Sequence, residues 1–235
     1  MTAGGAPGGH GNGEEKDMKA IRISPSLLSA DFSRMGEETE KITAAGADMI
    51  HCDVMDGSFV PPITFGAQMV SRIRAHTRLP LDVHLMVEAP WRQTEFFARA
   101  GADILTVHAE ACGDRLERTL EEIRKAGMKA GVAVRPDTPV GEILSLADRY
   151  DMLLVMSVYP GYGGQKMIPE TLDKAREARR FFEACGLETD IEMDGGIRPE
   201  NAGLVRGSGV NVLVAGSAVF RAADPASVIR GMRGE

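Results

Sequence analysis

Short apolar runs alternate along this chain with longer stretches whose apolar positions recur every three or four residues. The apolar runs are Ile21–Leu28, Met49–Met55, Leu81–Val87, Ile104–His108, Lys129–Val134, Met152–Val158, Asp190–Met193 and Val210–Ala215. Their lengths and their flanking turn residues suit strands. The helical-period segments are Ser33–Ala45, Ala67–Ala75, Trp91–Ala100, Asp114–Ala126, Val140–Ala147, Pro169–Cys185, Pro199–Arg206 and Pro225–Gly231. Regular alternation of the two kinds implies parallel strands joined by crossover helices. Four small-residue turns, Ala45-Gly46-Ala47-Asp48, Ala100-Gly101-Ala102-Asp103, Ala126-Gly127-Met128-Lys129 and Ser208-Gly209-Val210-Asn211, each precede an apolar run. Glycine there can take the left-handed conformation that ends a helix before the next strand begins.

Eight such units in about 210 residues match a single (β/α)8 TIM barrel. The alternative, an open doubly wound sheet, usually carries a glycine-rich turn after its first strand. Here Ser29-Ala30-Asp31-Phe32 follows the first run, and the glycines come after the sixth, seventh and eighth. The expectation is an α/β barrel over residues 19–235, preceded by a glycine-rich tail over residues 1–18. The tail has no apolar pattern with which to build a core.

Composition changes the picture in three respects. The net charge of −7 argues against a nucleic-acid surface, so an anionic ligand has to be held by backbone N–H groups or a metal. Cys52, Cys112 and Cys185 form no disulfide framework and suit a reducing compartment. No apolar run reaches the roughly eighteen residues of a membrane span. The N-terminal residues also lack the order of a secretion signal, so a cytoplasmic location is expected.

Candidate chemistry concentrates at Ile50-His51-Cys52-Asp53-Val54-Met55-Asp56-Gly57. Side chains two apart on a strand share a face, so His51 and Asp53 point the same way and Cys52 points outward. A similar pattern recurs at Leu81-Asp82-Val83-His84-Leu85-Met86-Val87, and a carboxylate ends Ile191-Glu192-Met193-Asp194-Gly195-Gly196. Buried ionisable groups are costly unless paired or bound to a metal. His51, Asp53, His84 and Asp194 supply two nitrogens and two carboxylates, which suits zinc, iron, manganese or cobalt better than calcium or magnesium. Asp53 and Asp194, from the second and seventh strands, could flank one substrate carbon and move a proton on and off it, each worth roughly 10²–10⁴-fold. Met55, Met86 and Met156 accompany these strands, either filling the barrel or capping the site against water. His108 and Glu110 are expected to form a surface or outer pair, and His76 to lie solvated in a loop.

Three glycine turns follow the late strands: Pro160-Gly161-Tyr162-Gly163-Gly164-Gln165, Asp194-Gly195-Gly196 and Ala215-Gly216-Ser217-Ala218. Barrels often hold a phosphate at that end, where backbone N–H groups can surround an anion. Ser217 would open a short helix there. No lysine or arginine is needed for such a site.

These segments, with Ser24-Pro25-Ser26-Leu27-Leu28-Ser29-Ala30-Asp31-Phe32, resemble the ribulose-phosphate 3-epimerase family in order and spacing from Ile21 to Arg233. The resemblance implies a ribulose-phosphate-binding TIM barrel that interconverts D-ribulose 5-phosphate and D-xylulose 5-phosphate. It implies one divalent metal, most often zinc, held by His51, Asp53, His84 and Asp194, and no organic cofactor. It implies that Asp53 and Asp194 are the acid–base pair at C3, and that Ser26 and His84 contact substrate. Gly161, Tyr162, Gly163, Gly164, Gly195, Gly196, Gly216 and Ser217 would hold the phosphate. A homo-oligomer without nucleic-acid or membrane partners is the implied form. Tyr159, Arg135, Ser58 and Pro62 depart from the residues common in the family, and none is a proposed ligand. D-allulose-6-phosphate 3-epimerases are the nearest alternative; they tend to carry alanine at the position of Gly163. Sugar-phosphate decarboxylases and aldolases on this barrel place a lysine two residues after the third-strand aspartate, where this chain has His84.

Overall fold

A computed structural model describes Met1 and residues 19–235, so the expected tail, His10 included, lies outside the described residues apart from Met1. Eight parallel strands form one sheet: β1 Arg22–Pro25, β2 Ile50–Met55, β3 Leu81–Met86, β4 Ile104–His108, β5 Lys129–Val134, β6 Met152–Met156, β7 Asp190–Asp194 and β8 Val212–Ala215. Each pairs with its sequence neighbour from β2 to β8, and β1 pairs with β8. The seam between β1 and β2 closes through a parallel bridge from Ser26 to His51 and through the Asp48 N–H, which donates to Ile23 O at 3.0 Å. The expected TIM barrel is therefore present.

Among the described residues ten α-helices alternate with these strands: α1 Met35–Ala44, α2 Ala67–Arg74, α3 Thr94–Ala100, α4 Ala109–Cys112, α5 Leu116–Lys125, α6 Gly141–Leu144, α7 Thr171–Cys185, α8 Pro199–Arg206, α9 Ser217–Phe220 and α10 Pro225–Arg233. Their amphipathic spacing explains their docking. In α5, Leu116, Thr119, Leu120 and Ile123 are buried while Arg118 and Glu122 pair across the solvent face. The four helix-ending glycines behave as expected, with φ of +92° at Gly46, +88° at Gly101, +87° at Gly127 and +91° at Gly209. Among the described residues no helix is long and apolar enough to cross a membrane.

Three of the differences from the sequence reading go beyond a residue or two at an element's end. The first strand ends at Pro25, and Leu27–Ser29 forms a 3-10 turn capped by Ser26, whose hydroxyl oxygen accepts from the Leu28 N–H. The segment expected over Val140–Ala147 is helical only at Gly141–Leu144; the Leu146 and Ala147 N–H groups continue with i→i−3 bonds to Ile143 and Leu144. A short helix, α4, follows β4 directly and carries Glu110.

Alternation along the strands separates two packed regions. Ile23, Cys52, Val54, Val83, Leu85, Leu105, Val107 and their counterparts face the helices in one continuous core. Inward-facing Met49, Ile104, Met152 and Val212 form a separate layer at the N-terminal end of the barrel. They come from β4, β6 and β8 and from the residue before β2, as alternate-strand layering requires. Above this floor the lining turns polar.

Candidate active site

Strand register builds the site. Parallel pairing sets His51 opposite Asp82 and Asp53 opposite His84 on β2 and β3, while Met156 faces Asp194 on β6 and β7. His51, Asp53, His84 and Asp194 each offer a ligand atom, all within 4.8 Å of one another. His51 Nε2 lies 3.3 Å from Asp53 Oδ1, and His84 Nδ1 lies 3.2 Å from the same oxygen. Both histidines are fully buried. The Ser26 hydroxyl donates to Asp53 Oδ2 at 2.6 Å, which places Ser26 against one of the proposed ligands. The buried His51 Nε2 has no hydrogen-bond partner, which fits a nitrogen that completes a metal shell. Two imidazoles and two carboxylates converging so closely form a donor set of the zinc, manganese, iron or cobalt kind.

Each histidine is held from behind. His51 Nδ1 lies 2.6 Å from Asp82 Oδ2, which also accepts from the Ser24 hydroxyl at 3.2 Å. His84 Nε2 lies 2.9 Å from His108 Nε2, and His108 Nδ1 lies 3.1 Å from Glu110 Oε2. His108 is fully buried, which corrects the surface placement and keeps the outer-pair role. Asp82 and Glu192 are buried inside the barrel beneath the site, and sequence reasoning gave them no role. Their signal was the same two-residue spacing, since Asp82 precedes His84 and Glu192 precedes Asp194 by two. His76 is half-exposed and bonds Glu40 at 2.8 Å, consistent with the solvated reading. Cys52 packs outward in the helix-facing core, and burial raises its thiol far above the usual range.

Burial and mutual charge split the titration of these groups. Burial works to raise Asp53, but the neighbouring His51, with His84, outweighs it and holds Asp53 well below the usual carboxylate range. Burial and the charge of Asp53 push Asp194 up to about 6. Burial would lower His51, yet the charges of Asp82 and Asp53 raise it well above its ordinary value. His108 is pushed down to about 4, chiefly by burial. Glu110 is held down at about 2 by its bonds to His108, the Arg135 N–H and Thr138, which overcome its burial.

A cavity of about 550 Å³ opens above the four residues. Ser26, Asp53 and Asp194 line it, with Met55, Met86 and Met156 as apolar lining. The cavity therefore joins the three methionines to the site, whatever filling they also supply. Gly161, Tyr162, Gly163, Gly164, Gly195, Gly196, Gly216 and Ser217 line its opposite part, so the three expected turns come together. Gly196 takes φ of +65°, and a Cβ there would sit 2.5 Å from Met167 N and 2.7 Å from Gln165 O. Arg198 and Arg221 also line this end, adding positive charge that the sequence reading considered unnecessary. Arg135 stacks on Phe59 at 4.3 Å, and Phe59 packs against His108 at 4.8 Å.

Comparison with known proteins places this arrangement. Residues 22–220 match the family model described as the ribulose-phosphate 3 epimerase family. The chain is 50% identical over 216 residues to the ribulose-phosphate 3-epimerase of Synechocystis sp., covering 92% of this chain and 94% of that one. It is 50% identical over 215 residues to the Bacillus subtilis enzyme of the same name, covering 91% and 99%. The Escherichia coli K12 enzyme is 46% identical over 219 residues, covering 93% and 97%. Among solved structures, 3-hexulose-6-phosphate synthase from Salmonella typhimurium superposes with a TM-score of 0.67 at 20% identity, covering 91% and 97%. The tryptophan synthase alpha-subunit from Pyrococcus furiosus does so with 0.65 at 15%, covering 91% and 98%. At such identities these two share the barrel fold alone. With its own sequence, fold and cavity in agreement, the chain belongs to the ribulose-phosphate 3-epimerase family, whose members are isomerases.

Proposed function

We propose that this chain interconverts D-ribulose 5-phosphate and D-xylulose 5-phosphate by moving a proton between Asp53, Asp194 and the two faces of C3. The observation that carries this reading is the meeting of both aspartates with His51 and His84 beneath a cavity edged by glycine turns. The names of the 46–50% identical relatives support the choice of reaction. His51, Asp53, His84 and Asp194 would hold one divalent cation, zinc, iron, manganese or cobalt. Bound there, the cation supplies Lewis-acid stabilisation to adjacent substrate oxygens as negative charge develops, worth several kcal/mol.

The remaining work falls to the chain. The split environments make Asp53 the ionised partner and Asp194 the readily protonated one, the pattern expected of an acid–base pair. Asp53 takes the C3 proton from one face, Asp194 returns one to the other, and the roles exchange in the reverse direction. The Ser26 hydroxyl, bonded to Asp53, orients that carboxylate and lies within the cavity for substrate contact. Backbone N–H groups of Gly161–Gly164, Gly195, Gly196, Gly216 and Ser217 hold the phosphate, with Tyr162 at the rim and Arg198 and Arg221 supplying charge. Met55, Met86 and Met156 keep water away from the reacting carbon. We place the enzyme in the cytoplasm as a homo-oligomer, which light scattering of the purified protein tests.

The direct test compares kcat/KM on D-ribulose 5-phosphate and D-allulose 6-phosphate, with metal analysis of the purified protein. A preference for the pentulose phosphate is expected, because Gly163 stands where the hexulose enzymes tend to carry alanine. A clear preference for the hexulose would overturn the substrate assignment. Release of CO₂ or formaldehyde would overturn the reaction class.

A further inference from the structure

The His84 ring has two nitrogens and only one can face a cation. Nδ1 lies toward Asp53 and the ligand cluster, and Nε2 points away, 2.9 Å from His108 Nε2. Two ring nitrogens at that distance share one proton, so the owner of that proton decides which nitrogen of His84 keeps its lone pair. His108 is itself held by Glu110, whose Oε2 lies 3.1 Å from His108 Nδ1. Both carboxylate oxygens are committed. Oε1 accepts from the Arg135 N–H at 2.8 Å and from the Thr138 hydroxyl, leaving Oε2 to accept from His108. The loop carrying those donors is itself tied down by Lys174 of α7, whose ammonium donates to Arg135 O at 2.8 Å and to Thr138 O at 2.5 Å.

We infer that Glu110 is a positioning residue that sets the His84 tautomer through His108. An ionised carboxylate can only accept, so His108 must carry its proton on Nδ1. His108 Nε2 is then an acceptor, and His84 must donate from Nε2. The His84 lone pair is left on Nδ1, aimed into the cluster. His51 is fixed in the opposite sense, since Asp82 engages Nδ1 and leaves Nε2 as the nitrogen a cation would take. The barrel thus presents one histidine by each nitrogen, one specified directly by the buried Asp82 and the other by the partly buried Glu110 through His108. This inference rests on the proposed cation site at His51, Asp53, His84 and Asp194.

An isosteric change reads the device out. In Glu110→Gln, the amide oxygen is retained where Arg135 and Thr138 donate, so the amide NH₂ faces His108 Nδ1. His108 then carries its proton on Nε2 and donates to His84, moving the His84 proton to Nδ1 and blocking that ligand position. Zn²⁺ affinity, measured by competition with a chromophoric chelator, is expected to fall about 10–100-fold, the range for partners of metal-ligating histidines. Nitrogen-15 spectra of the histidine rings should show the His84 proton on Nε2 in the zinc-loaded native protein and on Nδ1 in the metal-free variant. Glu110→Asp, which keeps an acceptor-only group, should leave the proton on Nε2. A Glu110→Gln protein with native Zn²⁺ affinity, or with the His84 proton still on Nε2, overturns the inference. The native spectrum alone overturns it if the shared proton belongs to His108, so a variant that fails to fold leaves the test standing. If the native protein itself binds no Zn²⁺, the underlying site reading falls with it, an outcome distinct from native binding that Glu110→Gln leaves unchanged.

Discussion

At the scale of single residues, Asp194 concentrates the conflict between stability and chemistry. Burial and the neighbouring Asp53 charge raise its carboxyl to about 6, from an ordinary 3.8. A group raised on folding contributes stability that is complete below the unfolded value and is lost as pH rises through the folded one. In metal-free protein this contribution is therefore present near pH 4 and gone by neutral pH. Asp194→Asn should abolish solvent deuterium exchange at C3 while leaving the fold intact. The same change should raise the neutral-pH melting temperature of the metal-free protein by about 2–4 °C, corresponding to about 1 kcal/mol in a chain of this size. Melting curves of both proteins from pH 4 to 8 check the sign, and the gap between them should widen as pH rises. The meeting of His51, Asp53, His84 and Asp194 was legible in the sequence because strand alternation puts residues two apart on one face. Depth was not legible: Asp82 and Glu192 share the faces of His84 and Asp194 one step lower, and spacing along a strand does not say which step meets the cavity. His108 was misplaced for a related reason, since its neighbour in space, His84, lies on the adjacent strand.

At the scale of elements, the turns after β6 and β7 are built against each other. Replacing Gly196 by alanine drives a Cβ into the backbone at Met167 and Gln165, neither of which can step aside as a side-chain tip would. The left-handed φ adds strain of roughly 1 kcal/mol. Gly196→Ala should cost about 1–3 kcal/mol in urea unfolding and raise KM at least about tenfold, because both turns edge the cavity where the phosphate is proposed to sit. Gly46→Ala is the matched control. Its φ of +92° carries backbone strain too, but nothing lies within 4 Å of the new Cβ, so stability should fall while KM stays unchanged. Most strands and helices were readable from periodicity. What escaped were short pieces at the barrel mouth, the Leu27–Ser29 turn and α4, whose conformation is set by Ser26 capping and by Glu110 anchoring rather than by an apolar repeat.

At the scale of the whole molecule, the eightfold alternation of strand and helix carried the fold, because a parallel ring is the arrangement that lets every crossover be short. The seam was not readable, since β1 and β2 meet through a single bridge and loop N–H groups. The proposed cation couples the ring: its four holders come from β2, β3 and β7. Zn²⁺ or Mn²⁺ at about 100 times its dissociation constant should stabilise the metal-free protein by about 2.7 kcal/mol, raising its melting temperature by about 5–10 °C. Calorimetry with and without a chelator checks this, and no shift would count against a cation bridging three strands. The layer of Met49, Ile104, Met152 and Val212 has a separate consequence. It stoppers the lower end, so among the described residues the barrel is a blind well whose doorway is the upper end. Any water, ion or substrate reaching the four residues passes that doorway, and in the proposed reaction a hydrogen taken from the substrate would reach bulk there. How much label leaks away per turnover then measures how long the doorway stands open.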